Sequence, residues 1–133
     1  MREEEDGLLR SVLDLAKLKG WLRAHFRPAR TKCKRCDGSG VNRLGIDCIY
    51  CHGTGDDWRT AVQGDAGYPD LILIRVGRNP TETARLVVAE LKSDKGKATP
   101  AQQVWLEAYR LIPGIEVYIW RPADWLTIVD ILS

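Results

Sequence analysis

An eight-residue pattern occurs twice in this chain, as Cys33-Lys-Arg-Cys36-Asp-Gly-Ser-Gly40 and as Cys48-Ile-Tyr-Cys51-His-Gly-Thr-Gly55. Both copies fit C-x-x-C-x-G-x-G, and together they hold all 4 cysteines of the 133 residues. A C-x-x-C turn points two sulfurs at one centre, and the glycines let the backbone fold back with its N–H groups toward them. Two such turns supply four thiolates, enough to close a tetrahedral Zn²⁺ site with no open position. The expected ligands are Cys33, Cys36, Cys48 and Cys51, and the expected zinc is structural. It would contribute roughly 10 kcal/mol or more of folding free energy to a segment that lacks core residues of its own. A redox C-x-x-C pair is the competing reading, and the clustering of four argues against it. His52 adjoins Cys51, but four sulfurs already fill the site. Residues 31–57 therefore read as a zinc-binding insertion within a larger pattern.

That larger pattern is one domain, residues 1–133. The length supports a real core with little room for a second, and 44% hydrophobic and 29% charged residues are ordinary for a soluble globular chain. No apolar run approaches the roughly 18 residues a membrane span needs. The start, Met1-Arg-Glu-Glu-Glu-Asp6, is acidic and unlike a signal peptide, so a cytoplasmic protein is expected. Net charge is only +2, but its distribution is uneven: Lys17 to Arg43 holds nine Lys or Arg against one acid, Asp37. Such a block reads as a phosphate-facing surface, with a merely solvated face as the bland alternative.

Along the chain, residues 8–19 carry a helical apolar stripe (Leu8, Leu9, Val12, Leu13, Leu15, Ala16, Leu18) that Gly20 ends. Trp21 to Arg27 alternates Leu22, Ala24, Phe26 against Arg23, His25, Arg27, a strand with one basic face that Pro28 stops. After the insertion comes a polar connector, from which Trp58 and Arg59 could return to the sheet. Strands follow at about 70–76 and 85–92. Thr99-Pro100 has the form of a helix start, with a helix to about Leu111 whose stripe is Val104, Trp105, Ala108, Leu111 and Ile112. A strand over Ile115–Trp120 and a last helix over 122–133, packing Trp125, Ile128, Val129 and Leu132 inward, complete an α-β-β-β-α-β-α order. This is an α/β class chain with a mixed sheet flanked by helices.

The two central strands carry charge where a strand built only for a core would have none. Asp70 opens the first, and Glu90 and Lys92 sit two apart near the end of the second, on one face. A hairpin register centred on Pro80 places Asp70 opposite Glu90. Two carboxylates and an ammonium then share a patch, which is what a Mg²⁺ (or Mn²⁺) site acting on a phosphate needs. A surface salt bridge at strand ends is the bland alternative, and the apolar flanks weigh against it.

Gly67-Tyr-Pro-Asp70, then Glu90-Leu-Lys92, then Gln102 after Thr99-Pro100 resembles the PD-(D/E)xK nuclease superfamily, in particular its VRR-NUC branch. The resemblance runs through Leu8–Arg30 and Gly64–Leu132 and leaves out only the cysteine insertion, which resembles the zinc-binding modules of DnaJ-type chaperones. It implies a restriction-endonuclease-like sheet and a metal-dependent DNA endonuclease, acting on branched, flap or Holliday-junction-like DNA in a bacterial or phage-infected cell. Asp70 and Glu90 then resemble the metal-binding carboxylates, with the Leu91 carbonyl as a further ligand. Lys92 resembles the lysine that activates water and steadies the phosphate, and Gln102 the glutamine that braces the site. A first-helix glutamate of the family aligns with Glu5, with Glu3 and Glu4 as close competitors. His25, Arg27, Arg30, Lys32, Lys34 and Arg35 are the candidates for contact with DNA phosphates. Stand-alone members of the family imply a homodimer, because two opposed cuts need two sites. The alternatives are a non-catalytic zinc-dependent DNA-binding or adaptor domain, and a chaperone-like interaction module that accounts for the insertion alone.

Overall fold

The computed structural model describes residues 2–26, 29–59 and 64–133. The chain forms two compact units, Met1–Phe26 with Gly64–Ser133, and Arg27–Gln63. The cysteine segment 31–57 lies within the second.

The first unit is a mixed α/β layer structure. Its elements are α1 (Arg2–Leu18), β1 (Leu22–His25), β4 (Leu71–Arg75), β5 (Arg85–Leu91), α2 (Pro100–Arg110), β6 (Ile115–Trp120), a 3₁₀ turn (Pro122–Asp124) and α3 (Trp125–Leu132). Four of these strands make one sheet in the order β1-β4-β5-β6. β1, β4 and β5 run antiparallel in turn, and β6 lies parallel to β5 after the α2 crossover.

Helix α1 begins six residues before its apolar stripe. Its first turn is Glu3, Glu4 and Glu5, carboxylates that suit the positive end of a helix, and such a turn carries no apolar period to read. The Trp21 N–H closes the helix on the Ala16 carbonyl at 2.9 Å. Leu8, Leu9, Val12 and Ala16 bury one side of α1 against Leu71 and Leu73 of β4, Val87, Ala89 and Leu91 of β5, and Ile128 and Leu132 of α3. These strand residues alternate, so the opposite sheet face carries Ile72, Ile74, Val88 and Glu90. Helix α2 covers part of that face, packing on β5 and β6.

The α2 stripe differs from expectation. Its one fully buried residue is Leu106, while Val104 and Leu111 are 67% and 84% exposed. The face turned to the sheet is Gln102, Leu106 and Tyr109, spaced four and three apart. A polar sheet face selected it, as Gln102 finds Glu90 there, and the more apolar stripe was left outside. Strand β1 is exposed along its whole length, as a short edge strand can be.

The second unit has a two-stranded ribbon, β2 (Ala29–Lys32) with β3 (Asp56–Arg59), below the cysteine loops. Trp58 and Arg59 pair there with Arg30 and Ala29 rather than returning to the large sheet. Sequence spacing cannot distinguish these partners, because either gives the same alternation.

Candidate active site and metal centre

The β4–β5 register pairs Leu71 with Ala89 and Arg75 with Arg85, a hairpin centred on residue 80. Continued by one residue, it sets Asp70 opposite Glu90 on the face that α2 covers. Asp70 is fixed from the side: its Oδ2 accepts the Leu91 N–H at 2.9 Å. Leu91 thus brings its backbone to the patch while its side chain is buried in the core on the other face.

Glu90 is only 1% exposed. Its Oε1 accepts from Gln102 Nε2 at 2.8 Å and lies 3.5 Å from the Lys92 ammonium. Its Oε2 is buried and has no hydrogen-bond partner among the described residues. The adjacent group is the Asp70 carboxylate, an acceptor like itself, and two ionised carboxylates cannot satisfy each other. Burial first, then the Asp70 charge and the hydrogen bond a protonated Glu90 would make to that carboxylate, push the Glu90 carboxyl up to about 8 against the pull of Lys92. A buried acceptor of this kind calls for a proton or a cation.

Gln102 is held as firmly as the group it braces. Thr99 caps α2, accepting the Gln102 N–H at 3.2 Å, and the Gln102 side-chain oxygen accepts the Thr99 N–H at 2.8 Å. Thr99-Pro100 marks the helix start in the sequence, and Gln102 completes a reciprocal capping box. What spacing missed is that the amide nitrogen of the same side chain is aimed at Glu90.

The loop before Asp70 is seated on α2 by Gly67. Its φ is +92°, and a β-carbon there would come within 2.6 Å of the Gln102 nitrogen. Tyr68 packs edge-on against Phe26 and Trp105, and its hydroxyl meets that of Tyr109 at 2.8 Å. The Trp105 indole N–H donates to the Ala66 carbonyl at 3.0 Å. These aromatics tie the Gly67–Asp70 loop to α2, and no motif announced them.

Of the first-turn glutamates, Glu3 and Glu4 are exposed, whereas Glu5 is half-buried and its Oε1 accepts the Ser93 N–H at 3.2 Å. Glu5 therefore reaches the end of β5, one residue past Lys92. His25 does not join the patch: it pairs with Leu71, whose side chain lies on the core face, so His25 points to the side away from Glu90. Arg27 lies outside the described residues. Arg30 sits in β2, while Lys32 pairs with Asp37 at 3.0 Å and Lys34 and Arg35 are exposed in the knuckle.

The four cysteines come together. Their sulfurs all lie within 4.8 Å of one another, and Cys36 and Cys51 are 3.7 Å apart. A tetrahedral Zn–S₄ centre with bonds of about 2.3 Å has sulfurs about 3.8 Å apart, so the cluster can hold a structural metal such as zinc. The two copies of the repeat fold alike. Gly40 N–H donates to Cys36 Sγ and Gly55 N–H to Cys51 Sγ, each at 3.2 Å. Cys48 N–H donates to the Gly40 carbonyl and Cys33 N–H to the Gly55 carbonyl, at 2.8 and 2.9 Å. Each copy thus closes on the other about an approximate two-fold axis. Burial raises the Cys36 thiol, but the Gly40 N–H and the Cys33 and Cys51 sulfurs together bring it down to about 6, toward the thiolate a metal binds. His52 is exposed at the position after Cys51 and is no part of the cluster.

No helix among the described residues is long and apolar enough to cross a membrane. No protein-family model, no curated protein and no solved structure matches the chain.

Proposed function

We propose that the first unit is a metal-dependent nuclease of the PD-(D/E)xK type, nearest in its motifs to the VRR-NUC branch, with a restriction-endonuclease-like sheet. The observation that carries the reading is the buried, unpartnered Glu90 Oε2 beside Asp70, with Lys92 and Gln102 on the same carboxyl. A carboxylate held in this state fits a divalent cation better than it fits a structural ion pair, where both oxygens would find donors.

Asp70, Glu90 and the Leu91 carbonyl would hold Mg²⁺ or Mn²⁺, with Glu5 as the candidate from α1. When bound, the ion would supply charge stabilisation for the phosphoryl oxygens and acidify a water. The protein's own groups do the rest. Gln102 fixes the rotamer of Glu90, and the Leu91 N–H fixes that of Asp70, so the carboxylates are preorganised. The Lys92 ammonium, close to Glu90 and largely shielded, orients the attacking water and offsets charge building on the phosphate. No nucleophilic side chain is needed. In the second unit the four cysteines hold a structural zinc.

The substrate class is DNA, with branched or flapped duplexes as the favoured form. A panel of single-stranded, flap and four-way DNA with Mg²⁺ or Mn²⁺ tests this. Cleavage of any of them that Lys92→Ala removes while binding persists supports the reading. Binding without cleavage across the panel would replace it with a non-catalytic DNA-binding domain.

A further inference from the structure

The loop between the two cysteine pairs exposes Leu44 and Ile46, and the second C-x-x-C turn exposes Ile49 and Tyr50, with Leu44 82% and Tyr50 61% open. The loop is nonetheless built. Asn42 Oδ1 accepts from the N–H groups of Leu44 and Ile46 at 2.9 and 3.0 Å, and Asn42 N–H donates to the Ile46 carbonyl at 2.7 Å. Apolar side chains held outward by a fixed backbone mark a binding surface.

One pair within it carries more chemistry. Arg35 and Tyr50 occupy the same position in the two C-x-x-C turns, and the approximate two-fold brings them together with the guanidinium carbon 4.7 Å from the ring centre. Arg35, Asn42, Ile49 and Tyr50, with Cys36 and Cys48 of the sulfur cluster at one side, line a groove of about 360 Å³. Lys34 precedes Arg35 and Arg43 follows Asn42 in the chain, and both are exposed.

We propose that this groove takes an unpaired base of single-stranded DNA, stacked on Tyr50, with Arg35, Lys34 and Arg43 on the flanking phosphates. The choice of DNA rests on the nuclease reading above and gives the knuckle a role in it. An aromatic ring bearing a guanidinium, with further exposed cations next in the chain to its groove-lining residues, is the composition of a stacking platform for a single strand. An apolar protein segment would use Leu44 and Ile46 but would leave the Arg35, Lys34 and Arg43 charges unmatched.

The test uses the zinc-loaded full chain and a short oligo-dT carrying one 5-iododeoxyuridine, in Ca²⁺ to prevent cutting. Under long-wavelength ultraviolet light the crosslink should map to the peptide containing Tyr50. Tyr50→Leu keeps the apolar bulk without the π-face and should weaken binding roughly ten-fold with an unchanged salt slope, while Tyr50→Phe binds as wild type. Arg35→Ala should lower the salt slope by about one. Zinc content of one per chain shows that each variant keeps the knuckle. A crosslink elsewhere, Tyr50→Leu binding as tightly as wild type, or no binding of the oligomer at all would overturn the proposal, the last leaving the surface to a protein. A Tyr50 crosslink in a protein that cuts no DNA in Mg²⁺ or Mn²⁺ upholds the groove and sinks the nuclease. Cutting without the crosslink does the reverse.

Discussion

Gln102 joins the start of helix α2 to Glu90 through the two ends of one carboxamide: its oxygen accepts the Thr99 N–H and its nitrogen donates to Glu90 Oε1, both at 2.8 Å. The side chain is therefore a cap and a brace together, and its loss should be felt twice. Gln102→Ala is expected to cost about 1 kcal/mol from the cap, read from urea unfolding. The same variant should slow single-turnover DNA cleavage by roughly ten-fold or more, because a freed Glu90 leaves its productive rotamer. Thr99→Ala, which loses a cap bond but not the contact with Glu90, should lose stability and keep most of the rate.

The raised Glu90 carboxyl makes stability depend on pH in a definite direction. Between the ordinary carboxylate value near 4.5 and about 8, the folded protein holds a proton that the unfolded chain has released. Folding is then favoured at the acid end, and stability falls as pH rises through this window, by on the order of a few kcal/mol. Thermal unfolding of zinc-loaded protein without added Mg²⁺ or Mn²⁺ should show the melting temperature dropping from pH 5 to pH 8. Glu90→Gln, which cannot ionise, should flatten the drop, and added Mn²⁺ should lift the pH 8 value toward that at pH 5. An unchanged slope in Glu90→Gln would assign the effect to another group.

The cysteine cluster and the main core are separate sets of buried residues. If the wild type carries the proposed one zinc per chain, Cys48→Ser should therefore release it and lose structure in Arg27–Gln63. Amide exchange in β4, β5 and β6 should stay protected. Zinc-free wild-type protein with an ordered knuckle would remove the metal from the account.

Helix α2 offers a test of the packing. Leu106→Ala should cost about 2–5 kcal/mol, as for a fully buried leucine, while Leu111→Ala and Val104→Ser should stay within about 0.5 kcal/mol of wild type. Judged by apolar pattern alone the ranking would be reversed. Denaturant midpoints of the three variants decide between the two.

That reversal shows where the sequence was legible. The strands of the large sheet, the hairpin centred on Pro80 and the Thr99 cap follow from local signals, namely alternation, turn residues and a hydroxyl just before a proline. Asp70, Glu90 and Lys92 could be placed together because a strand's two-residue period leaves no freedom once the register is fixed. The first turn of α1 and the inward face of α2 follow from no local signal. One is decided by charge at a helix end, the other by a polar partner across the sheet. The Tyr68 contacts and the Gly67 seat depend on how a loop meets a helix far away in sequence, and a single chain gives no trace of that meeting. His25 shared an alternating strand with apolar residues, but its face was settled by pairing with Leu71.

Buried Glu90 and half-buried Asp70 are proposed as the carboxylates of a metal-dependent phosphodiesterase centre. Its most direct measurement is cleavage of an end-labelled flap or four-way DNA by the zinc-loaded protein in Mn²⁺, beside Glu90→Ala and Lys92→Ala at equal DNA binding. Cutting by the wild type and a loss of at least about a hundred-fold in each variant are expected. Cutting that persists in Glu90→Ala, or a wild type that binds these DNAs and cuts none of them in either metal, would contradict the proposal.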